Sequence, residues 1–114
     1  ILDDQRLYLP QFPRVVLDDP EAAKYVSGIA VHWYMDFILP AQVLTDTHDL
    51  LPEYFLLYTE ACAAASPLDV IKVMLGSWER AEQYAVDILE GLLNWITGWV
   101  DWNIVLNESG GPNW

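Results

Sequence analysis

The chain has 114 residues and is 54% apolar, so it is long enough to bury a core and too apolar to be intrinsically disordered. Its formal net charge is −12, from 17 acidic against 5 basic residues, which excludes the clustered positive surface of a nucleic-acid-binding protein. Such acidity serves solubility or suits an acidic compartment, and charge alone does not choose between the two. Cys62 is the single cysteine, so no disulfide can form within the chain.

Apolar runs, taken in chain order, predict strands. Residues 1–3 have the character of a strand end, and three further apolar runs occupy residues 28–34, 54–60 and 97–103. None of the three alternates between apolar and polar residues, which is typical of parallel strands covered on both faces. We therefore expect buried strands at these places.

Helix signals lie between the strands. Asp-Pro-Glu at 19–21 supplies an N-cap, a proline at the first helical position and a first-turn acid, and predicts a helix to about residue 26. Ser-Pro at 66–67 repeats the cap-and-proline signal. The strongest helical periodicity begins at Ser77 and ends before Gly98. We expect its apolar face to pack on the sheet, with the other face carrying Glu79, Arg80, Glu82, Asp87 and Glu90.

Alternation of strands and helices predicts an α/β fold with a parallel sheet. A doubly wound sheet and a (β/α)8 barrel both fit this order. No GxGxxG turn follows any predicted strand, which disfavours the nucleotide-binding sheet and favours the barrel. The segment between the strands at 28–34 and 54–60 is predicted as a helical loop. Its most loop-like part, residues 39–52, leaves the carboxyl end of a strand, where barrel active sites are built.

Polar side chains fall at the carboxyl ends of these strands. Strict alternation places His32 with Tyr34 on one face, Leu56, Tyr58 and Glu60 together on a face of the next strand, and Trp102 on a face of the last. If these faces point into a barrel, His32, Tyr34, Glu60 and Trp102 meet at its mouth. The alternatives are a strand-end acid bonded to a helix, a core histidine, and aromatic packing.

Seven short blocks in order resemble the glucosylceramidase family, also called acid β-glucosidase or glucocerebrosidase. They are DDQR at 3–6, PEAAKYV at 20–26, GIAVHWY at 28–34, EAC at 60–62, GSW at 76–78, GW at 98–99 with DWN at 101–103, and GGPNW at 110–114. The resemblance extends over essentially the whole chain. Residues 39–51 and 63–73 depart from the family pattern, and these regions shape the mouth of the barrel.

The resemblance implies that residues 1–114 are part of a longer (β/α)8 catalytic domain, from the end of the fifth strand through the eighth. Glu60 then matches the nucleophile, His32 and Tyr34 match active-site residues, and Trp102 matches a tryptophan that contacts glucose. The acid/base glutamate lies outside this chain, before Ile1, and Asp3, Asp36 and Asp101 do not match its position. No cofactor and no metal are implied.

The activity implied is retaining hydrolysis of glucosylceramide to glucose and ceramide in the lysosome. The resemblance adds a membrane lipid surface and a saposin-type activator as partners. Two alternatives stay open: the same barrel acting on another β-glycoside such as a glucan or xylan, or a truncated, non-catalytic product. The isolated 114 residues are expected to be inactive.

Overall fold

The computed structural model of the chain describes residues 1–65, 69–103, 107 and 109. In chain order these residues form β1 (Leu2–Gln5), a 3-10 turn (Arg6–Tyr8), α1 (Gln11–Leu17), α2 (Pro20–Ala23), β2 (Gly28–His32), α3 (Gln42–Leu50), β3 (Phe55–Glu60), α4 (Trp78–Leu93) and β4 (Ile96–Trp99). The cap-and-proline signal at 66–67 and the block at 110–114 lie outside the described residues.

The four strands form one parallel sheet in the order β1-β2-β3-β4. Neighbours in the sheet are also neighbours in sequence, so these strands lack the reversal of order that marks a doubly wound sheet. The predicted parallel sheet is therefore confirmed, although β2 ends at His32 and β4 at Trp99, earlier than expected. No helix among the described residues is long and apolar enough to cross a membrane.

The core lies between the sheet and its helices. Ile29, Val31, Leu56 and Tyr58 are at most 1% exposed, and they come from the two central strands. Gly91 of α4 brings the helix close to this layer, because a Cβ at that position would lie 3.2 Å from the ring of Tyr58. A side chain there would push α4 away from the sheet.

The predicted beginnings of two helices, α2 and α4, are confirmed by their N-caps. Asp19 accepts a hydrogen bond from the N–H of Glu21 at 2.8 Å, and Ser77 accepts one from the N–H of Arg80 at 3.3 Å. Each bond satisfies a donor that has no partner within the first helical turn. Helix α4 stops at Leu93, because Trp95 has a φ of +72° and cannot continue it.

Two other expectations differ from the structure. Residues 42–50, predicted as part of a helical loop, form the regular helix α3, in which Leu44 and Thr47 are buried. Asp87, assigned to the outer face of α4, lies on its inner side against Arg6. Much of the apolar surface of α4 is exposed instead, including Trp78, Leu89, Leu92 and Leu93.

Candidate active site

Glu60 is the last residue of β3, and its carboxylate lies between two side chains from the end of β2. The hydroxyl of Tyr34 donates a hydrogen bond to Glu60 Oε1 at 2.8 Å. His32 Nε2 lies 3.7 Å from the other oxygen, Oε2. The rings of His32 and Tyr34 meet edge to face at 6.0 Å between centroids. The structure thus brings three of the four predicted site residues into one cluster.

An extra residue in β3 turns Glu60 toward this cluster. Val31 is paired with Tyr58 and His32 with Glu60, so one step along β2 corresponds to two steps along β3, and Thr59 is the extra residue. Paired residues in neighbouring strands share a face. Tyr58 therefore faces α4 with Val31, whereas Glu60 lies on the opposite side with His32. The expectation that Leu56, Tyr58 and Glu60 share one face is wrong, because this irregularity breaks the alternation.

The phenol of Tyr34 is held in its protonated form. Burial, followed by its hydrogen bond with Glu60, raises the pKa of Tyr34 above its ordinary value. A phenol that keeps its proton remains a donor to the carboxylate throughout the range in which enzymes work. Tyr34 therefore holds the Glu60 carboxylate in place by donating to Oε1.

Trp102 lies beyond the end of β4 and borders the same cleft. A cavity of about 550 Å³ is lined by Tyr34, Met35, Phe37, Glu60, Cys62, Ala65 and Trp102. The N–H of Trp102 donates to the carbonyl of Ala61 at 2.9 Å, which ties Trp102 to the residue after Glu60. Its side chain is 57% exposed, so an indole face is available to a ligand. A carboxylate and an aromatic surface on one cleft suit a sugar.

The other two tryptophans near the carboxyl ends of the strands, Trp33 and Trp99, pack against tyrosine rings and do not line this cleft. Trp33 stacks on Tyr84 of α4 with 4.5 Å between ring centroids, and Trp99 packs against Tyr58 at 4.5 Å. Both tryptophans are on the helix side of the sheet.

Within the described residues, no group of three or more His, Cys, Asp or Glu side chains is placed to hold a metal ion.

A buried charge cluster lies behind the site, and no motif in the sequence predicts it. Arg6, whose side chain is 1% exposed, lies 2.5 Å from Asp36, 3.6 Å from Asp87 and 3.5 Å from Glu90. The hydroxyl of Tyr58 also donates to Asp36. Arg6 and Asp36 each follow the carboxyl end of a neighbouring strand, and that shared position is the signal available in the sequence.

This cluster gives the fold a pH dependence through Asp87. Burial, and next the charge of Asp36, raise the pKa of Asp87 from 3.8 to about 7, while Arg6 opposes the rise. The carboxyl group is thus neutral in the fold at a pH where it ionises in the unfolded chain. The stability that this neutral carboxyl group gives the fold is fully present below about pH 4 and is lost as pH rises through 7. The free energy of unfolding falls by no more than about 1.4 kcal/mol per pH unit.

We predict that Asp87→Asn makes the decrease in the free energy of unfolding between pH 5 and pH 8 smaller. Urea unfolding of the protein that contains this chain, at both pH values, measures the change. Glu82→Gln, on the exposed side of the same helix, is the control and should leave the slope unchanged. Equal pH slopes for Asp87→Asn and the unsubstituted protein would contradict the role given to this carboxyl group.

Comparisons with known proteins relate the whole chain to one protein family. The model of the glycosyl hydrolase family 30 TIM-barrel domain matches residues 1–114. A Caenorhabditis elegans protein given the name glucosylceramidase 4 is 61% identical over 113 residues, covering 99% of this chain and 21% of that protein. Lysosomal acid glucosylceramidase of Mus musculus is 56% identical over 115 residues, covering 100% of this chain and 22% of that protein.

A solved structure has a fold similar to that of this chain. The crystal structure of SrfJ from Salmonella typhimurium superposes with a TM-score of 0.76 at 27% identity, over 97% of this chain and 23% of that one. The chain therefore spans about a fifth of the length of the relatives it matches. By the family match over all of its residues, the chain belongs to the glycosyl hydrolase family 30 TIM-barrel domain.

Proposed function

We propose that this chain supplies the nucleophile of a retaining β-glucosidase, and that Glu60 is the nucleophile. The observation that carries the proposal is the position of the Glu60 carboxylate: it ends a parallel strand, accepts a hydrogen bond from Tyr34 at 2.8 Å and borders a cleft with Trp102. Catalytic groups of TIM-barrel enzymes come from the carboxyl ends of the strands. The placement fits that rule.

The chemistry follows from the two carboxyl groups of a retaining glycosidase. A carboxylate oxygen of Glu60 forms a bond to the anomeric carbon while the bond from that carbon to the leaving oxygen breaks. A second carboxyl group, about 5–5.5 Å away and outside this chain, gives its proton to the leaving oxygen. That group then takes a proton from water, whose oxygen attacks the anomeric carbon and releases Glu60 and the sugar.

The neighbours of Glu60 have distinct roles in this scheme. Tyr34 binds Oε1 and leaves Oε2, beside His32, as the attacking oxygen. The imidazole of His32 fixes the direction of that oxygen. The exposed indole of Trp102 offers the sugar an apolar face and an N–H donor. These roles need no metal or cofactor.

The substrate and setting are inferred from the relatives. We infer that residues 1–114 are the end of the fifth strand through the eighth strand of a (β/α)8 catalytic domain. The name of the mouse relative supports glucosylceramide as substrate, with glucose and ceramide as products, and a lysosomal location. A membrane lipid surface and a saposin-type activator follow from the resemblance to that family.

A different β-glycoside, such as a glucan or a xylan, is the second candidate substrate. Residues 39–51, which depart from the family pattern, contain α3, and the loop before it carries Phe37 into the cleft. A change in this region would alter the aglycone side of the site. Turnover of glucosylceramide and of soluble glucans and xylans by the complete protein separates the two candidates.

Covalent labelling tests the proposed nucleophile. We expect a cyclophellitol-type inhibitor to form one ester with the complete protein, on the peptide that contains Glu60, because its epoxide traps an attacking carboxylate. Peptide mapping by mass spectrometry locates the label. A label on any other residue would refute the role of Glu60. The isolated 114-residue chain should show no turnover, because the proton donor lies outside it.

A further inference from the structure

Tyr84 of α4 is in contact with all three segments that carry the proposed site. Its ring stacks on Trp33 with an interplanar angle of 29°, and Trp33 lies between His32 and Tyr34 in the sequence. Its hydroxyl accepts a hydrogen bond from the N–H of Ala63 at 3.0 Å, three residues after Glu60. The same hydroxyl reaches Asp101 Oδ1 at 3.5 Å, next to Trp102.

Asp101 links Tyr84 to Trp102. Its Oδ1 accepts from the N–H of Trp102 at 2.7 Å, and that N–H is shared with the carbonyl of Ala61 at 2.9 Å. A single phenolic oxygen thus joins the segment after β3 to the segment after β4.

Tyr84 is able to keep both bonds at once. Burial is the first cause that raises the pKa of Tyr84, and the charge of Asp101 adds to it. The hydroxyl therefore keeps its proton to donate to Asp101 while its lone pair accepts from Ala63. Its position on α4 is fixed by the stack on Trp33, whose side chain is buried.

We propose that Tyr84 is a positioning residue that sets the separation between Glu60 and Trp102, the two sides of the sugar cleft. It acts through the backbone of Ala63 and through Asp101, and it does not touch the substrate. The proposal rests on the function proposed above, since it assumes that Trp102 contacts the sugar. Misplacement of groups that hold a substrate is known to cost up to about a hundredfold in rate.

A double-mutant cycle on the complete enzyme tests this role. Tyr84→Phe removes the hydroxyl and keeps the ring that stacks on Trp33. We expect it to lower kcat/KM about tenfold in the unsubstituted enzyme and less than about twofold when Trp102→Ala is already present. Tyr25→Phe is the matched control, because Tyr25 is 88% exposed, and should leave kcat/KM unchanged.

The possible outcomes distinguish the proposed role of Tyr84 from the proposed function on which it rests. A purely structural role for Tyr84 would reduce kcat/KM equally in both backgrounds, and that result, or no effect of Tyr84→Phe in either background, would overturn the inference. If Glu60→Gln and Trp102→Ala both leave activity intact, the proposed function fails as well. Should Tyr84→Phe not fold, Asp101→Ala tests the same link from its other end, with the same dependence on Trp102 expected.

Discussion

Glu60→Gln in the complete protein should lower kcat by at least about a thousandfold while binding of a β-glucoside persists. The amide keeps the size of the side chain and can still accept the hydrogen bond from Tyr34, which is 2.8 Å long in the structure. It has no charge with which to attack the anomeric carbon, so no glucosyl ester can form. Steady-state kinetics with intact-mass measurement during turnover checks both parts of this expectation.

A matched control separates the loss of a nucleophile from the loss of any acidic residue. Glu53→Gln makes the same chemical change at an exposed position just before β3. It should leave kcat and KM within about twofold of their original values, because surface substitutions rarely matter. An ester still detected in Glu60→Gln would show that another carboxylate attacks.

Arg6→Met should destabilise the fold far more than the loss of an exposed arginine does. The side chain of Arg6 is 1% exposed and is shared by Asp36, Asp87 and Glu90. Methionine has a similar reach and no charge, so it leaves the carboxylate of Asp36 buried beside Tyr58 alone. Breaking a buried ion pair on one side typically costs about 3–5 kcal/mol in the free energy of unfolding.

Urea unfolding near pH 7 measures this cost, with Arg14→Met as the control. Arg14 is 61% exposed and lies 4.0 Å from Asp18, an arrangement that contributes at most about 1 kcal/mol. Adding Asp36→Asn to Arg6→Met should recover part of the loss, because it removes the unpaired charge. If Arg6→Met were no more harmful than Arg14→Met, the cluster would have no structural importance.

Local signals in the sequence are sufficient to predict much of the fold. The caps at Asp19 and Ser77 and the centres of the strands depend on neighbours within a few residues, and the structure has them at the predicted places. The sequence predicts only a helical loop where the regular helix α3 forms, because the helix periodicity is carried by only two buried residues, Leu44 and Thr47. Polar composition outweighs that weak pattern.

The site depends on partners that are distant in the sequence. That His32, Tyr34, Glu60 and Trp102 lie at strand ends follows from the order of the apolar runs, and the parallel sheet brings such ends together. Helix periodicity places Asp87 on the inner face of α4, three residues after Tyr84 and four before Gly91, but its contact with Arg6 depends on a residue that lies 81 positions earlier. The pairing of Tyr84 with Asp101 has the same origin.

The unpaired Thr59 has a consequence for anyone who wishes to graft this carboxylate onto another barrel. A transplanted glutamate placed by simple counting along a regular strand would emerge among the helices, next to an aromatic ring, and could not reach a sugar. The donor segment must therefore include the surplus residue together with its neighbours, because the detour in the backbone is what points the carboxylate away from the helices.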